Sequence, residues 1–345
     1  MRDSTVPPRG ADRWLLWLFP AAILADFTRV CCHVPTTGHN GSMQTILGSN
    51  GVIARELSRQ LPPYTDRIRQ VSRSPRRVNP TDELFSADLL DAQATAAAVA
   101  GSSVTYLVAG LKYDHRVWQE QWPRVMRHAI DACKRHGSAL VFFDNVYAYG
   151  RVDGVMTEAT PYNPCSRKGE VRARIAMMFM EEIQRGGLKG MIVRSADFYG
   201  PGDATSVTHA TVTARLQANR RPQWIGNPKA VHTFTYVPDA AHTVALLANT
   251  AAAFGQVWHA LTSHEPMTGE QFVRMACELS GRPYRLQVAP RWVLSLLGLF
   301  SPLVRENMEM LYQFEYDYRF DSSKLEGAFG LTATPYREGI AGMLG

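Results

Sequence analysis

The segment QTILGSNGVIA, residues 44–54, decides the fold of this chain. A short apolar run meets Gly48 and Gly51, and Ala54 follows at the same three-residue interval. This spacing predicts a strand that turns directly into a helix whose N-terminus faces the pyrophosphate of a dinucleotide. As a bare motif, the pattern is equally typical of a purely structural turn. The predicted cofactor-binding residues of the turn are Gly48, Asn50, Gly51, Val52 and Ile53.

The composition describes a globular chain with a mild positive charge. Of its 345 residues, 46% are hydrophobic and 20% are charged, and the formal net charge is +6. The length and hydrophobic content support a large buried core, in one large α/β domain or two smaller ones. The positive charge suits anionic ligands such as nucleotides. No basic stripe with interleaved aromatic residues is present, which argues against a nucleic-acid partner.

Cysteine and histidine usage points to a reducing compartment and to no metal. The five cysteines are too few and too scattered for a disulfide scaffold, so a cytoplasmic protein is predicted. Neither they nor the ten histidines show the spacing of metal ligands. Four histidines are interpreted as surface or packing residues: His232, His242, His259 and His264.

Residues 1–42 differ from the rest. The apolar run at 14–25 follows three arginines and resembles a short signal segment, but it is too short to span a bilayer and contains Pro20. The first predicted strand follows Met43 directly. We therefore expect Met43 to be the functional start and residues 1–42 to be a disordered or non-native extension, with a targeting segment as the alternative. No membrane partner is predicted.

Strand and helix patterns alternate along residues 43–200. Apolar runs predict strands at 67–72, 84–88, 104–109, 139–143 and 190–194, and helical periodicity covers 91–100, 116–136 and 166–185. Such alternation predicts a Rossmann-type, doubly wound parallel sheet. Residues 201–345 predict a small mixed substrate lobe, interleaved with the core, with helices at 239–252, 268–280 and 290–299. Asp239 is expected to cap the first of these, and Trp258 and His259 to pack inside the lobe.

Residues at the ends of the predicted strands extend the cofactor site, because ligands bind at the carboxyl ends of parallel strands. The second strand is followed by Arg73 rather than by an acid, which favours the 2′-phosphate of NADP(H) over NAD(H). Asp88 and Leu89 follow the third strand, where an acid can face the adenine; helix capping is the alternative. Ala109 and Gly110 end the fourth strand and leave room for the cofactor.

Four further segments, in order, resemble those of the extended short-chain dehydrogenase/reductase group, the NAD-dependent epimerase/dehydratase family. They are FFDNVYAYG at 142–150, NPCS at 163–166, RSADFYGPG at 194–202 and FTYVPD at 234–239. The resemblance covers about residues 43–340. It implies an NAD(P)-dependent oxidoreductase, epimerase or dehydratase acting on a small carbonyl, hydroxyl or sugar-nucleotide substrate. It also implies a homodimer through helices 116–136 and 166–185.

One departure from the family affects the chemistry. Where the family has Y-x-x-x-K, this chain has Lys168 and Arg172, and Asn145 stands at the family's serine position. The resemblance implies that Arg172 holds the nicotinamide ribose and that Asn145 orients the substrate. Asp197 stands at a family asparagine and is expected near the nicotinamide carboxamide.

Three interpretations of this departure remain open. In the first, Lys168 handles the proton, with Tyr147 or Tyr149 as a further donor. In the second, the protein binds a dinucleotide as a regulatory or scaffold protein and has lost its redox chemistry. In the third, the alignment is displaced and Tyr162 supplies the hydroxyl.

Overall fold

The structure is a computed structural model and describes residues 41–345. The extension expected over residues 1–42 lies outside this part, except for its last two residues. The strands are β1 Met43–Leu47, β2 Ile68–Ser72, β3 Glu83–Ser86, β4 Ser102–Leu107, β5 Ala139–Asn145, β6 Val155–Met156, β7 Gly190–Ser195, β8 Asp197–Tyr199, β9 Gln223–Ile225, β10 Phe234–Tyr236, β11 Val257–His259, β12 Gln287–Ala289 and β13 Arg319–Phe320. The α-helices are α1 Val52–Gln60, α2 Ala92–Val99, α3 His115–His136, α4 Arg167–Gln184, α5 Ala214–Gln217, α6 Val237–Ala248, α7 Gly269–Leu279, α8 Arg291–Phe300, α9 Pro302–Met308, α10 Tyr312–Glu315, α11 Ser323–Phe329 and α12 Tyr336–Leu344.

Seven strands form one parallel sheet in the order β11-β7-β5-β4-β1-β2-β3. The strand order reverses between β1 and β4, which makes this the switch point of a doubly wound sheet, where dinucleotides bind. The Rossmann-type fold expected from the sequence is therefore confirmed.

The seventh strand, β11, corrects one expectation. The sequence pattern places Trp258 and His259 in the substrate lobe, but they belong to β11 and pair with β7 at the edge of the main sheet. Both side chains are buried, as a packing role requires. A strand of three residues is too short to show an alternating pattern, so periodicity could not reveal it.

Helices cover both faces of the sheet. Helices α1 and α6 pack on each other and on one face, whereas α2, α3 and α4 cover the other. The longest of them, α3, begins where the Asp114 carboxylate accepts hydrogen bonds from two backbone amides, and it ends at Gly137, whose φ is 66°. These caps explain why its bounds match the predicted range so closely.

The C-terminal lobe has its own core, around Trp224, Phe234 and Phe272. It includes the short parallel pairs β10–β8, β12–β9 and β13–β6. Its polypeptide is interleaved with the Rossmann core, since α6 and β11 return to the main sheet. Asp239 lies in the first turn of α6 rather than at its N-cap, which is Tyr236, and its carboxylate binds Thr334.

Helices α8 and α9 present large apolar side chains to solvent. The exposed ones are Trp292, Leu296, Leu297, Leu299, Phe300 and Leu303. Only Gly298 of α8 is buried. The apolar run around residues 290–303 is therefore a surface feature of the lobe. Across residues 41–345, no helix combines the length and the apolar character that crossing a membrane would need.

Candidate functional site

The turn between β1 and α1 needs glycine at Gly48 for two reasons. Its φ is +94°, and a Cβ there would collide with the backbone of Ala109. The Gly48 and Ser49 amides bind the Val71 carbonyl at 2.9 and 3.1 Å, which ties the turn to the end of β2. The turn is therefore fixed between the carboxyl ends of β1, β2 and β4.

The N-terminus of α1 offers a place for an anion. Its N-cap, Gly51, has no side chain to bind the first amides of the helix, which include those of Val52 and Ile53. The Ser49 hydroxyl beside it is buried and lacks a hydrogen-bond partner among the described residues. A free helix N-terminus and an unpaired hydroxyl fit a pyrophosphate, so the turn suits a dinucleotide.

The predicted adenine-side residues gather at the same sheet edge. Asn50 donates from Nδ2 to the Ser74 carbonyl at 3.1 Å and so fastens the turn to the loop after β2. In that loop the Arg73 side chain is exposed and makes no ion pair with any described residue. Arg73 is therefore free to meet a ligand phosphate.

The ends of β3 and β4 complete this edge. Asp88 is exposed and Leu89 is half-buried; one Asp88 oxygen accepts from the Leu90 amide at 3.0 Å. The N-cap of α2 is Asp91, so capping does not occupy Asp88. Ala109 is half-buried and Gly110 is exposed. Asp88, Leu89, Ala109 and Gly110 thus lie just after the carboxyl ends of β3 and β4, and their contact with a cofactor stays a prediction.

Lys168 is fully buried and saturated with acceptors. Its Nζ lies 2.6 Å from Glu306 Oε2, 2.7 Å from Glu309 Oε1 and 2.9 Å from the Glu306 carbonyl. Its side chain therefore joins α4 to α9, and all three of its hydrogens have partners. This geometry favours a structural role, and proton transfer by Lys168 stays a prediction.

Arg172 lies in an aromatic enclosure beneath the strand ends. Its guanidinium lies 4.3 Å from the ring centre of Trp122 and 5.1 Å from that of Trp118, and its Nε is 3.3 Å from Asp144 Oδ1. Burial lowers the pKa of Arg172, and the Asp144 carboxylate opposes this effect. The second oxygen of Asp144 accepts from Arg194. Ribose binding by Arg172 stays a prediction.

The residues after β5 form a tight turn below the N-terminus of α4. Asn145 accepts the Tyr147 amide at 3.1 Å, and the Tyr147 ring stacks on Trp118. A Cβ on Gly169 would lie 2.6 Å from the Tyr147 carbonyl, so α4 packs directly on this turn. Orientation of a substrate by Asn145 and proton donation by Tyr147 stay predictions.

Tyr149 and Tyr162 face a different set of partners. The Tyr149 hydroxyl and His259 Nε2 are 2.9 Å apart, and burial raises the pKa of Tyr149 to about 12. The Tyr162 hydroxyl accepts from Arg194 Nη2. Both hydroxyls are thus engaged within the protein, and a catalytic role for either stays a prediction.

Asp197 starts β8 and meets a residue from the lobe. Its Oδ2 lies 3.0 Å from His232 Nε2, and its side chain is 25% exposed. The contact with the nicotinamide carboxamide expected for Asp197 stays a prediction. The Tyr312 and Tyr318 hydroxyls are buried without a partner among the described residues, and both belong to the lobe.

Sequence reasoning missed the contacts of three residues in this region. Glu306 and Glu309 bind Lys168, and His232 lies against Asp197. None of the three lies in a motif, and their partners are distant in sequence, so only the folded structure brings them together.

One group of side chains resembles a metal site. Asp114, His115 and Glu306 come close enough to share a cation. Their oxygens are already engaged, however: Asp114 caps α3, and Glu306 binds Lys168 and the His115 amide, the latter at 2.8 Å. The cluster is therefore explained by the attachment of α9 to α3 and α4.

Comparisons with known proteins agree with the Rossmann-type fold. A model of the NAD dependent epimerase/dehydratase family matches residues 45–259. No curated protein sequence matches the chain at a significant level.

Solved structures show the same fold at low identity. UDP-glucose 4-epimerase of Thermus thermophilus, in complex with NAD, has a TM-score of 0.70 at 18% identity, with 88% of this chain and 97% of that chain covered. The dTDP-glucose 4,6-dehydratase DesIV of Streptomyces venezuelae, with NAD and TYD bound, gives 0.69 at 16% identity, covering 88% and 95%. UDP-glucuronic acid 4-epimerase of Bacillus cereus, in complex with NAD, gives 0.71 at 14% identity, covering 88% and 97%.

Proposed function

Because the chain belongs to the NAD-dependent epimerase/dehydratase family, we propose that it is an NAD(P)-dependent oxidoreductase, epimerase or dehydratase. Its substrate is a sugar nucleotide or a small carbonyl or hydroxyl compound. The observation that carries this proposal is the turn between β1 and α1, where Gly48 packs against Ala109 and the N-terminus of α1 has no capping side chain. When bound, the nicotinamide ring supplies or accepts a hydride.

The chain's own residues would bind and orient both ligands. The amides at the start of α1 hold the pyrophosphate, and Arg73, in the loop after β2, binds the 2′-phosphate. Ala109 and Gly110 leave room for the cofactor to cross toward β5. The small-molecule substrate lies between the strand ends and the C-terminal lobe, beside Asp197.

We favour NADP(H) over NAD(H), because Arg73 is exposed and no acid ends β2. NADPH and NADH are titrated against the wild type by nicotinamide fluorescence. We expect tighter binding of NADPH, and Arg73→Ala to weaken it about tenfold while NADH binding is unchanged, as for one charge-assisted phosphate contact.

Arg135→Ala is the matched control, because Arg135 is an exposed arginine at the far end of α3. Its NADPH affinity should equal that of the wild type. Equal affinities for the two cofactors, before and after the Arg73 change, would contradict the phosphate role.

A second candidate function is dinucleotide binding without turnover. The observation that favours it is the engagement of Lys168 and Arg172 in internal contacts. The two candidates are separated with UDP-glucose, dTDP-glucose, UDP-glucuronic acid and a set of small aldehydes and ketones. Cofactor binding with no change in any of these compounds would favour the non-catalytic protein.

We further propose a cytoplasmic homodimer. Helices α3 and α4 pack side by side, as the family's dimer helices do, and α4 exposes Met177 between Arg174 and Glu181. The described cysteines Cys133, Cys165 and Cys277 are free thiols, which suits a reducing compartment. A monomer mass in light scattering would contradict the dimer.

A further inference from the structure

We propose that Asp197 and His232 form the acid–base pair of this chain, with Asp197 against the reacting oxygen of the substrate and His232 as the positioning residue behind it. The proposal rests on the proposed enzymatic function. It identifies groups that would handle the proton in a chain where Lys168 replaces the tyrosine of the family motif.

The hydrogen bonds of His232 require a proton in its contact with Asp197. Its Nδ1 lies 3.0 Å from the Gln313 carbonyl oxygen, and its Nε2 lies 3.0 Å from Asp197 Oδ2. A carbonyl and a carboxylate only accept hydrogen bonds, so a neutral ring beside an ionised Asp197 would leave one contact without a hydrogen. The pair therefore holds one proton more than a neutral imidazole and an ionised carboxylate would hold together.

Burial divides the roles within the pair. The His232 side chain is 2% exposed, with the rings of Phe314 and Tyr318 stacked at centroid distances of 4.5 Å. The Asp197 side chain is 25% exposed. A substrate can thus reach Asp197, while His232 acts only through it.

The surroundings of Asp197 offer neutral hydroxyl donors. Burial, together with the nearby Asp197 carboxylate, raises the pKa of Tyr147 and of Tyr318, so both phenols keep their protons. The Tyr312 and Tyr318 hydroxyls are buried and have no partner within residues 41–345. Unpaired buried hydroxyls are costly, and the oxygens of a polyhydroxylated substrate would satisfy them.

The pair also lies at the correct edge of the sheet. Asn145 and Ser195 are register partners at the carboxyl ends of β5 and β7, and Asp197 follows two residues later. Strand β5 neighbours β4, and Ala109, just after β4, contacts the turn at Gly48 where the cofactor is proposed to bind. A dinucleotide that crosses the switch point from β2 toward β5 ends beside this pair.

The resulting proton transfer balances. When the substrate carbonyl carbon gains a hydride, the C=O π bond breaks and its oxygen takes the proton held between Asp197 and His232. An alcohol is formed, and a neutral imidazole remains beside an ionised carboxylate. In the oxidising direction the same atoms move in reverse, and the hydroxyl proton returns to the pair.

The first test needs neither substrate nor cofactor. In isotope-labelled full-length protein, the ring ¹⁵N shifts of His232 and the carboxyl ¹³C shift of Asp197 are recorded at about pH 8, where both free side chains are deprotonated. His232→Gln assigns the ring signals. We expect either both ring nitrogens to be protonated, or a protonated Nδ1 together with a protonated Asp197 carboxyl. A neutral ring in either tautomer beside an ionised carboxylate would overturn the proposal.

The second test uses whichever of UDP-glucose, dTDP-glucose, UDP-glucuronic acid and the aldehyde and ketone set is turned over. Asp197→Asn keeps the shape of the side chain, and we expect kcat to fall at least about 100-fold with KM within about threefold. Asp197→Glu should restore part of kcat. His264→Gln is the control, because His264 pairs with Glu326 at 2.7 Å on the exposed surface, and it should behave as wild type.

The pH profile of kcat separates a chemical role from a structural one. The wild type should show a limb that Asp197→Asn lacks. Four tyrosines near Asp197 could also titrate: Tyr113, Tyr147, Tyr312 and Tyr318. The pH profile is therefore also recorded for four variants, in each of which one of these tyrosines is replaced by phenylalanine.

The outcomes distinguish this proposal from the proposed function. Turnover that survives Asp197→Asn with its pH limb intact would overturn the acid–base pair and leave the enzymatic function standing. Cofactor binding by the wild type with no turnover of any compound would remove both the enzymatic function and the pair. A loss of kcat in Asp197→Asn with the expected NMR signals would support the pair.

Discussion

Gly48 is required by two independent constraints, its backbone conformation and the lack of space for a side chain. The backbone has a φ of +94°, and the space for a side chain is taken by Ala109. Gly101 has only the first of these, since its φ is +76° and a Cβ would meet nothing within 4 Å. The two glycines therefore separate backbone strain from steric contact.

Gly48→Ala should cost about 3 kcal/mol or more of unfolding free energy, because strain and overpacking add. Gly101→Ala, the matched control, should cost about 1 kcal/mol from its backbone conformation alone. Urea denaturation measures both, and NADPH titration of the folded Gly48→Ala protein should show at least a tenfold loss of affinity. Equal costs at the two positions would show that the contact with Ala109 is unimportant.

At the scale of elements, Lys168 fastens α9 to α4. Its ammonium group neutralises Glu306 and Glu309, which lie on and just after α9. Burial tends to raise the pKa of Glu306, but hydrogen bonds from Lys168 and His115 outweigh it and hold that pKa at about 2. The attachment of the lobe in this region is therefore electrostatic.

Lys168→Met should destabilise the protein by about 3 kcal/mol, because it leaves two partly buried carboxylates without their cation. Glu306 has a lowered pKa in the folded state, so its contribution is present above about pH 4.5 and is lost as the pH falls toward 2. Chemical denaturation across this range should show that the unfolding free energy falls steeply with pH in the wild type and less steeply in Lys168→Met. Lys229→Met, at an exposed lysine of the lobe, should match the wild type.

The sequence predicted the long helices and the turn at Gly48, but not the contacts that Lys168 and Asp197 make, for identifiable reasons. Helix α3 and the turn at Gly48 depend on local caps and backbone conformation, which the sequence displays directly. The motif spacing predicts that Lys168 points into the site, but its partners Glu306 and Glu309 lie 138 and 141 residues away. The contact of Asp197 with His232 spans 35 residues, and no spacing rule connects either set of residues.

At the scale of the whole molecule, His259 joins three parts of the chain. It lies on β11, its Nε2 is 2.9 Å from the Tyr149 hydroxyl, and its Nδ1 is 2.7 Å from the Asp321 carbonyl. Burial lowers the pKa of His259 to about 3. The ring is therefore neutral in the folded protein, and Nδ1 donates to Asp321.

This histidine should make the fold sensitive to acid. Below the ordinary histidine pKa of 6.5 the unfolded chain binds a proton that the folded chain refuses, so stability falls by about 1.4 kcal/mol per pH unit from pH 6.5 down to about 3. His259→Gln should flatten unfolding free energy across this window, as measured by urea denaturation. His264→Gln, at a 47% exposed side chain, should keep the wild-type slope; the same slope in His259→Gln would contradict the assignment.

The position of β11 at the end of the sheet order has a consequence for how the chain is made. As a ribosome releases the protein from its N-terminus, the main-sheet strands β1 to β5 and β7 can pair with one another, but the outer edge of β7 has no partner until Val257–His259 emerge. An uncovered edge strand can pair with other chains. Nascent chains stalled between Ser195 and Val257 should therefore be the most dependent on chaperones, and a product truncated there should be recovered as aggregate.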